Sequence, residues 1–205
     1  MKHSLLKQRI NDLEKEIFNC NKCEELFTLR QKRIHNCPVL GFDFNHYLNA
    51  RICSIAEAPG VYKPHKGEVY IEKLEQFHDI YDNRIQNIAR VGKLLMEIYG
   101  RANVGWEDIQ HFNAVCCSPP EYRRPTIDEI DNCLSYLAKR IALMQNIKLI
   151  VTFGKAAKVA IKRLKLNKPI VSAFHTSYIF TYMPMNEREG YINQIASEIK
   201  TVLNA

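Results

Sequence analysis

The chain has no long uninterrupted apolar run. Its opening stretch, MKHSLLKQRINDLEKEIF, is amphipathic and densely charged, unlike the apolar core of a signal peptide. No later stretch approaches the roughly 20 apolar residues of a membrane span. These absences predict a cytoplasmic protein with no membrane partner. Internal repeats, low-complexity tracts and linkers are also missing, so residues 1–205 are expected to form one domain, and a monomer. Acidic residues are in deficit: 22 Asp and Glu face 29 Lys and Arg, a formal net charge of +7 with pI near 9.0. Such an excess concentrates near polyanions, which makes nucleic acid the first partner to consider.

The apolar fraction of 46% and charged fraction of 25% are those of an ordinary globular chain. Seven cysteines in a reducing compartment argue against a disulfide framework and toward metal ligation. Cys37, Cys53 and Cys116 read as bystanders, the last two as small hydrophobes inside buried strands.

Apolar periodicity predicts a helix over 3–18, with Leu5, Leu6, Ile10, Leu13 and Ile17 at helical spacing. A mixed connection over 25–47 follows. Residues 50–56 read as a first buried strand, ending in Glu57-Ala58-Pro59-Gly60. Residues 61–82 read as irregular, and 83–99 as a helix whose face carries Ile85, Ile88, Val91, Leu94, Leu95 and Ile98. A second strand is expected over about 110–117 and a helix over 127–145. Ile147–Phe153 gives a third strand, 155–165 a short basic helix, Pro169–Phe174 a fourth strand, and 187–203 a last helix. Short apolar strands alternating with helices imply an α/β fold, a three-layer α/β/α sandwich with a central four-stranded parallel sheet. In such sheets ligands gather at the carboxyl edge, where Glu57, Asn113 and His175 all fall.

The segment 113–133, NAVCCSPPEYRRPTIDEIDNC, holds most of the chemistry. Thr126 and Glu129 have the spacing of a capping box that opens a helix. Cys117 and Cys133 stand sixteen positions apart, and Cys20-Asn21-Lys22-Cys23 supplies a second pair. Four thiolates suffice for one iron–sulfur cluster or one zinc. Arg123 and Arg124, between two of these cysteines, are candidates for phosphate contact, as is Lys155 at the start of the basic helix. Tyr178, just beyond His175-Thr176-Ser177, is a candidate wedge into a base stack.

Together these pieces resemble the iron–sulfur uracil-DNA glycosylases of the uracil-DNA glycosylase superfamily. The matching features are Cys20/Cys23, the Ala56–Gly60 turn, Asn113 through Pro120, Cys133, Phe153-Gly154 and His175-Thr176-Ser177, in order over residues 20–180. The resemblance implies that Cys20, Cys23, Cys117 and Cys133 hold a [4Fe–4S] cluster in a structural role, with zinc the alternative occupant. It implies that Asn113 bonds the edge of a base flipped out of DNA and that His175 donates toward the base O2. Ala58, Gly60, Tyr70 and Ser177 would line the pocket, Tyr70 by stacking on the base.

The chain departs from the pattern at three places. Lys63 stands where relatives often carry an acid, leaving Glu57 as the acid of the turn. The segment after the turn is remodelled, and Thr176 replaces a proline. Gly60 falls where the most uracil-selective relatives place a tyrosine that excludes C5 substituents. The expected activity is therefore hydrolysis of the N-glycosidic bond of uracil or of a C5-modified pyrimidine, such as a hypermodified cytosine of phage DNA, in base excision repair or phage defence. A catalytically weak module that binds modified or single-stranded DNA is the alternative reading. An electron carrier is disfavoured because no flavin or nucleotide fingerprint is present.

Overall fold

The computed structural model describes residues 2–32, 44–59 and 90–205. In chain order the elements are α1 (Lys2–Phe18), α2 (Glu24–Lys32), α3 (Phe44–Asn49), β1 (Ile52–Ala56) and α4 (Arg90–Arg101), followed by β2 (Ile109–Asn113), α5 (Ile127–Leu143) and β3 (Leu149–Phe153). The chain closes with α6 (Lys155–Leu164), β4 (Ile170–Ala173), α7 (Thr176–Thr181) and α8 (Met185–Asn204). The four strands pair only in parallel, in the order β2-β1-β3-β4. The expected α/β architecture is the one observed.

Strand alternation divides the core into two halves. Cys53, Ile55, Phe112 and Ile150 face one side, where α1, α5 and α6 contribute Leu13, Ile17, Leu137, Ile141, Ala157 and Ile161. Ile52, Ile109, Leu149, Val151 and Phe153 face the other, against Leu94, Leu95 and Ile98 of α4 and Ile192, Ile195 and Ile199 of α8. Both sides of β1 and β3 are therefore covered, which is why their sequences read as continuous apolar runs. Each fully buried aliphatic of this kind contributes about 1.5–3 kcal/mol. Two polar pairs form between neighbouring strands. His111 Nδ1 lies 3.0 Å from Ser54 Oγ, its neighbour in register, and Thr152 Oγ1 lies 2.9 Å from Ser172 Oγ.

Local expectations and local structure differ in four places. The connection expected over 25–47 contains α2 and α3. The second strand stops at Asn113 instead of running on to Cys117. Backbone bonds Ala114 N–H to Ala56 O (2.8 Å) and Val115 N–H to Glu57 O (3.0 Å) tether the next residues to β1, and the chain then bends away. Helix α7 follows β4 where only a loop was expected, and Leu5 of α1 is 59% exposed although its helical neighbours are buried. Gly60, Lys63, Tyr70, Cys37, the stretch 61–82 expected to be irregular, and residues 83–89 of the helix expected over 83–99 lie outside the described residues. Among the described residues no helix is long and apolar enough to cross a membrane.

Candidate active site and thiol cavity

The register of the sheet aligns the ends of all four strands. Ala56 is paired with Asn113, Phe153 with Ala173, and Ile55 with Thr152, so these four strand ends form one row. Glu57 and Gly154 are the next residues along the central strands, and His175 lies two beyond β4. Asn113 ends one edge strand and His175 follows the other, so the two flank Glu57. Three strand spacings separate their backbones, about 14 Å.

Glu57 is held in place. It is 8% exposed, and its Oε1 accepts the Ala156 N–H at 3.0 Å, in the first turn of α6. A carboxylate at a helix N-terminus satisfies an orphan backbone donor and complements the helix dipole. The approach depends on Gly154, whose φ of +94° turns β3 into α6. A Cβ on Gly154 would stand 2.6 Å from Glu57 Oε1.

His175 caps α7: its Nδ1 accepts the Ser177 N–H at 3.3 Å. With Nδ1 accepting, the proton of a neutral ring sits on Nε2. That nitrogen lies 4.0 Å from Glu57 Oε2, close but short of a hydrogen bond. The His175 side chain is one-third exposed and Glu57 one-tenth, so a half-open N–H donor stands beside a sheltered carboxylate. Asn113 is also buried, at 6% exposure, and Ala58 half-buried. Nothing in the sequence pattern signalled the Glu57–Ala156 bond, because it joins residues 99 positions apart.

The four cysteines of the expected ligand set line one cavity. Cys20 and Cys23 lie in the turn between α1 and α2, Cys117 in the bend after β2, and Cys133 on α5. The capping box is formed in both directions: Thr126 Oγ1 accepts from Glu129 N, and Glu129 Oε2 accepts from Thr126 N. It sets the start of α5 and thereby the position of Cys133, two turns in. Asn132 Nδ2 donates to Cys23 Sγ at 3.5 Å, and Tyr136 closes the cavity wall. Burial pushes the Cys23 thiol up, and a hydrogen bond with Cys116, reinforced by burial, raises that of Cys133.

Cys116 is thus no remote bystander but a fifth thiol on the cavity wall, while Cys53 is buried in β1 as expected. Among the described residues no three His, Cys, Asp or Glu side chains stand close enough to share one metal ion. Four thiols lining one cavity are the soft donor set that an iron–sulfur cluster or a zinc ion takes.

The candidate DNA contacts fall in different settings. Arg123 is a clasp within the fold: its guanidinium makes two bonds to Glu129, at 2.7 and 3.0 Å, and one to Glu25 Oε2 at 2.7 Å. These carboxylates raise its pKa and hold the Arg123–Arg124 loop against α2 and α5. Arg124 is exposed, as are Lys155 at the carboxyl edge of the sheet, Ser177 and Tyr178.

Comparison with known proteins shows the family. The model of the Uracil DNA glycosylase superfamily matches residues 42–200. A type-4 uracil-DNA glycosylase of Archaeoglobus fulgidus is 28% identical over 151 residues, covering 73% of this chain and 62% of that protein. The one of Thermotoga maritima is 26% identical over 179 residues, 76% of this chain and 84% of its own length. The one of Sulfurisphaera tokodaii is 28% identical over 177 residues, 84% and 68% respectively. The match takes in the ends of all four strands, with Glu57, Asn113 and His175 among them, and the chain belongs to the uracil-DNA glycosylase superfamily.

Proposed function

We propose that this protein is a monofunctional DNA glycosylase that hydrolyses the N-glycosidic bond of a flipped-out pyrimidine. The observation that carries the reading is the row of Asn113, Glu57 and His175 along one carboxyl edge, with His175 Nε2 and Glu57 Oε2 4.0 Å apart. Extruding a nucleotide costs a few kcal/mol of stacking and pairing. The base then departs as an anion while the sugar becomes cation-like. Asn113 bonds the edge of the base, and the His175 Nε2–H donates to its O2 as charge develops there. Preorganised donors of this kind are worth roughly 3–4 kcal/mol each. Glu57 faces the cation-like sugar and orients the water. The C1′–N bond breaks with its electron pair going to the base, water supplies hydroxide to C1′, and the remaining proton goes to the departing base.

Ala58 and Ser177 contribute to the pocket, for which the family resemblance also assigns Gly60 and Tyr70, and Lys63 takes the place in the sequence where relatives often carry an acid. Arg124, Lys155 and Tyr178 meet the DNA, while Arg123 holds their loop. Cys20, Cys23, Cys117 and Cys133 would hold a [4Fe–4S] cluster, which would tie together the α1–α2 turn, the bend after β2 and α5.

The substrate is uracil, or a pyrimidine with a C5 substituent. Gly60 carries no side chain and falls where the most uracil-selective relatives place a tyrosine, which favours the second; hypermodified cytosines of phage DNA fit that description, and a role in phage defence would follow. The relatives named as uracil-DNA glycosylases support the first. Mass analysis of the bases released from uracil-containing, 5-hydroxymethylcytosine-containing and glucosylated DNA decides between them. Release of no base from any of these refutes the enzymatic reading. Lys63 favours a second reading, a module that binds modified or single-stranded DNA without turnover, and tight binding with no released base is its signature.

A further inference from the structure

Around His175 the surface carries a ridge of aromatic rings. Phe174, Tyr178 and Tyr182 are 49%, 45% and 73% exposed, unlike the buried Thr176 and Ile179 on the opposite side of α7. Tyr178 in α7 and Tyr182 at its C-cap are one helical turn apart, and Phe174, just before the His175 N-cap, packs its ring beside Tyr178. The Phe174 and Tyr178 rings are 5.2 Å apart between centroids, and Tyr178 and Tyr182 are 6.1 Å apart. The ridge is preorganised. The Phe174 ring packs on Tyr191 at 5.2 Å, its N–H donates to Tyr191 Oη at 2.8 Å, and the Tyr182 N–H donates to Tyr178 O at 2.9 Å.

We infer that Phe174, Tyr178 and Tyr182 form a stacking platform for successive bases of an unpaired DNA strand beside the nucleotide being processed. The inference rests on the proposed DNA glycosylase reading and deepens it toward strand preference. Three observations select this occupant. The ridge starts one residue before His175, so it continues the surface on which the reacting nucleotide would lie. Flat aromatic rings about half exposed or more can stack on any base, and the tyrosine hydroxyls keep two of them compatible with water in the free protein. The ring spacings of 5.2 and 6.1 Å exceed the rise of about 3.4 Å per nucleotide of a duplex strand. Consecutive bases of an intact stack cannot each meet a ring, whereas those of an extended single strand can.

The test is fluorescence anisotropy of the cluster-bearing protein with an undamaged single strand, the same sequence as a duplex, and a strand of equal length with abasic sites throughout. Tyr182→Ala is expected to weaken single-strand binding about tenfold, to leave duplex binding within about twofold, and to leave abasic-strand binding unchanged. Tyr182→Phe retains the ring and should bind as the wild type does. Equal losses on single strand and duplex, no loss at all, or a Phe variant as weak as Ala overturns the inference. So does concentration-dependent self-association abolished by Tyr182→Ala, which would assign the ridge to a second copy of the chain. Because the probes contain no base to excise, failure here is separate from failure to release a base. A protein that binds none of the three probes overturns both.

Discussion

Replacing Gly154 by alanine tests how the central carboxylate is held. At Gly154 the backbone has φ +94° and ψ 175°, a region almost confined to glycine, where another residue costs on the order of 1–3 kcal/mol. The added methyl would also stand 2.6–2.7 Å from Oε1, Cδ and Cγ of Glu57. That side chain is not a free end, since its Oε1 holds the Ala156 N–H. Moving it forfeits a hydrogen bond to a charged group, about 1.5–3 kcal/mol. The two penalties overlap, because either the backbone or Glu57 can yield, so a loss of about 3 kcal/mol is expected for Gly154→Ala. In a chain of this size, that lowers Tm by about 6–12 °C. Thermal unfolding followed by circular dichroism measures the shift, and single-turnover base release measures the accompanying loss of rate. Glu57→Ala removes the atoms the methyl strikes, so the double variant should be less destabilised than the sum of the two single ones. A Tm within about 2 °C of wild type for Gly154→Ala, or strict additivity in the double variant, refutes the argument.

Other expectations follow from the same contacts. Asn113→Ala and His175→Ala should each slow single-turnover base release about 10²–10³-fold with intact folding, the range for loss of one preorganised donor; a change below threefold in either removes that residue from the site. Iron content and visible absorbance should vanish in Cys117→Ser and Cys133→Ser but persist in Cys116→Ser, and the reverse result at 116 and 117 would exchange their roles. Glu14 is raised from 4.5 to about 7, mainly by burial and against the opposing pull of Arg140. The folded state therefore retains a proton that the unfolded chain releases. Glu14's contribution is fully present below pH 4.5 and is lost as pH rises to about 7, a change on the order of 3 kcal/mol. Burial pushes His111 down to about 4, with the opposite sign, so its contribution is lost as pH falls from 6.5 toward 4. The Tm difference between wild type and Glu14→Gln isolates the first effect, and a difference that stays constant from pH 4.5 to 7.5 contradicts it.

Features that depend on near neighbours in the chain were legible before any coordinates. The alternation of apolar strands and helices follows from periods of 2 and 3.6 residues, and the two-way cap of Thr126 and Glu129 needs only three residues of separation. The grouping of Cys20, Cys23, Cys117 and Cys133 came from spacing and resemblance, and one cavity holds all four. The missed elements are short. Helix α7 covers six residues and buries only Thr176 and Ile179, too few for a periodic signal. The early end of β2 follows from its tether to β1, which no residue of β2 announces.

The other outcomes depend on which distant groups meet. Arg123 and Arg124 are equivalent in sequence, yet Glu25 and Glu129 close around the first and leave the second exposed. Cys116 reads as one more apolar strand residue, but the bend after β2 turns it to the cavity, where it meets Cys133 and accepts from Arg140 Nη1 at 3.7 Å. The sheet order β2-β1-β3-β4 places Glu57 on a central strand, between Asn113 on one edge and His175 beyond the other. Local sterics and hydrophobic period act over a few bonds and so can be read along the chain. Ion pairing, close approach at Gly154 and the convergence of strand ends act through space between residues up to 123 positions apart, and the packing of helices on both sheet faces selects among them.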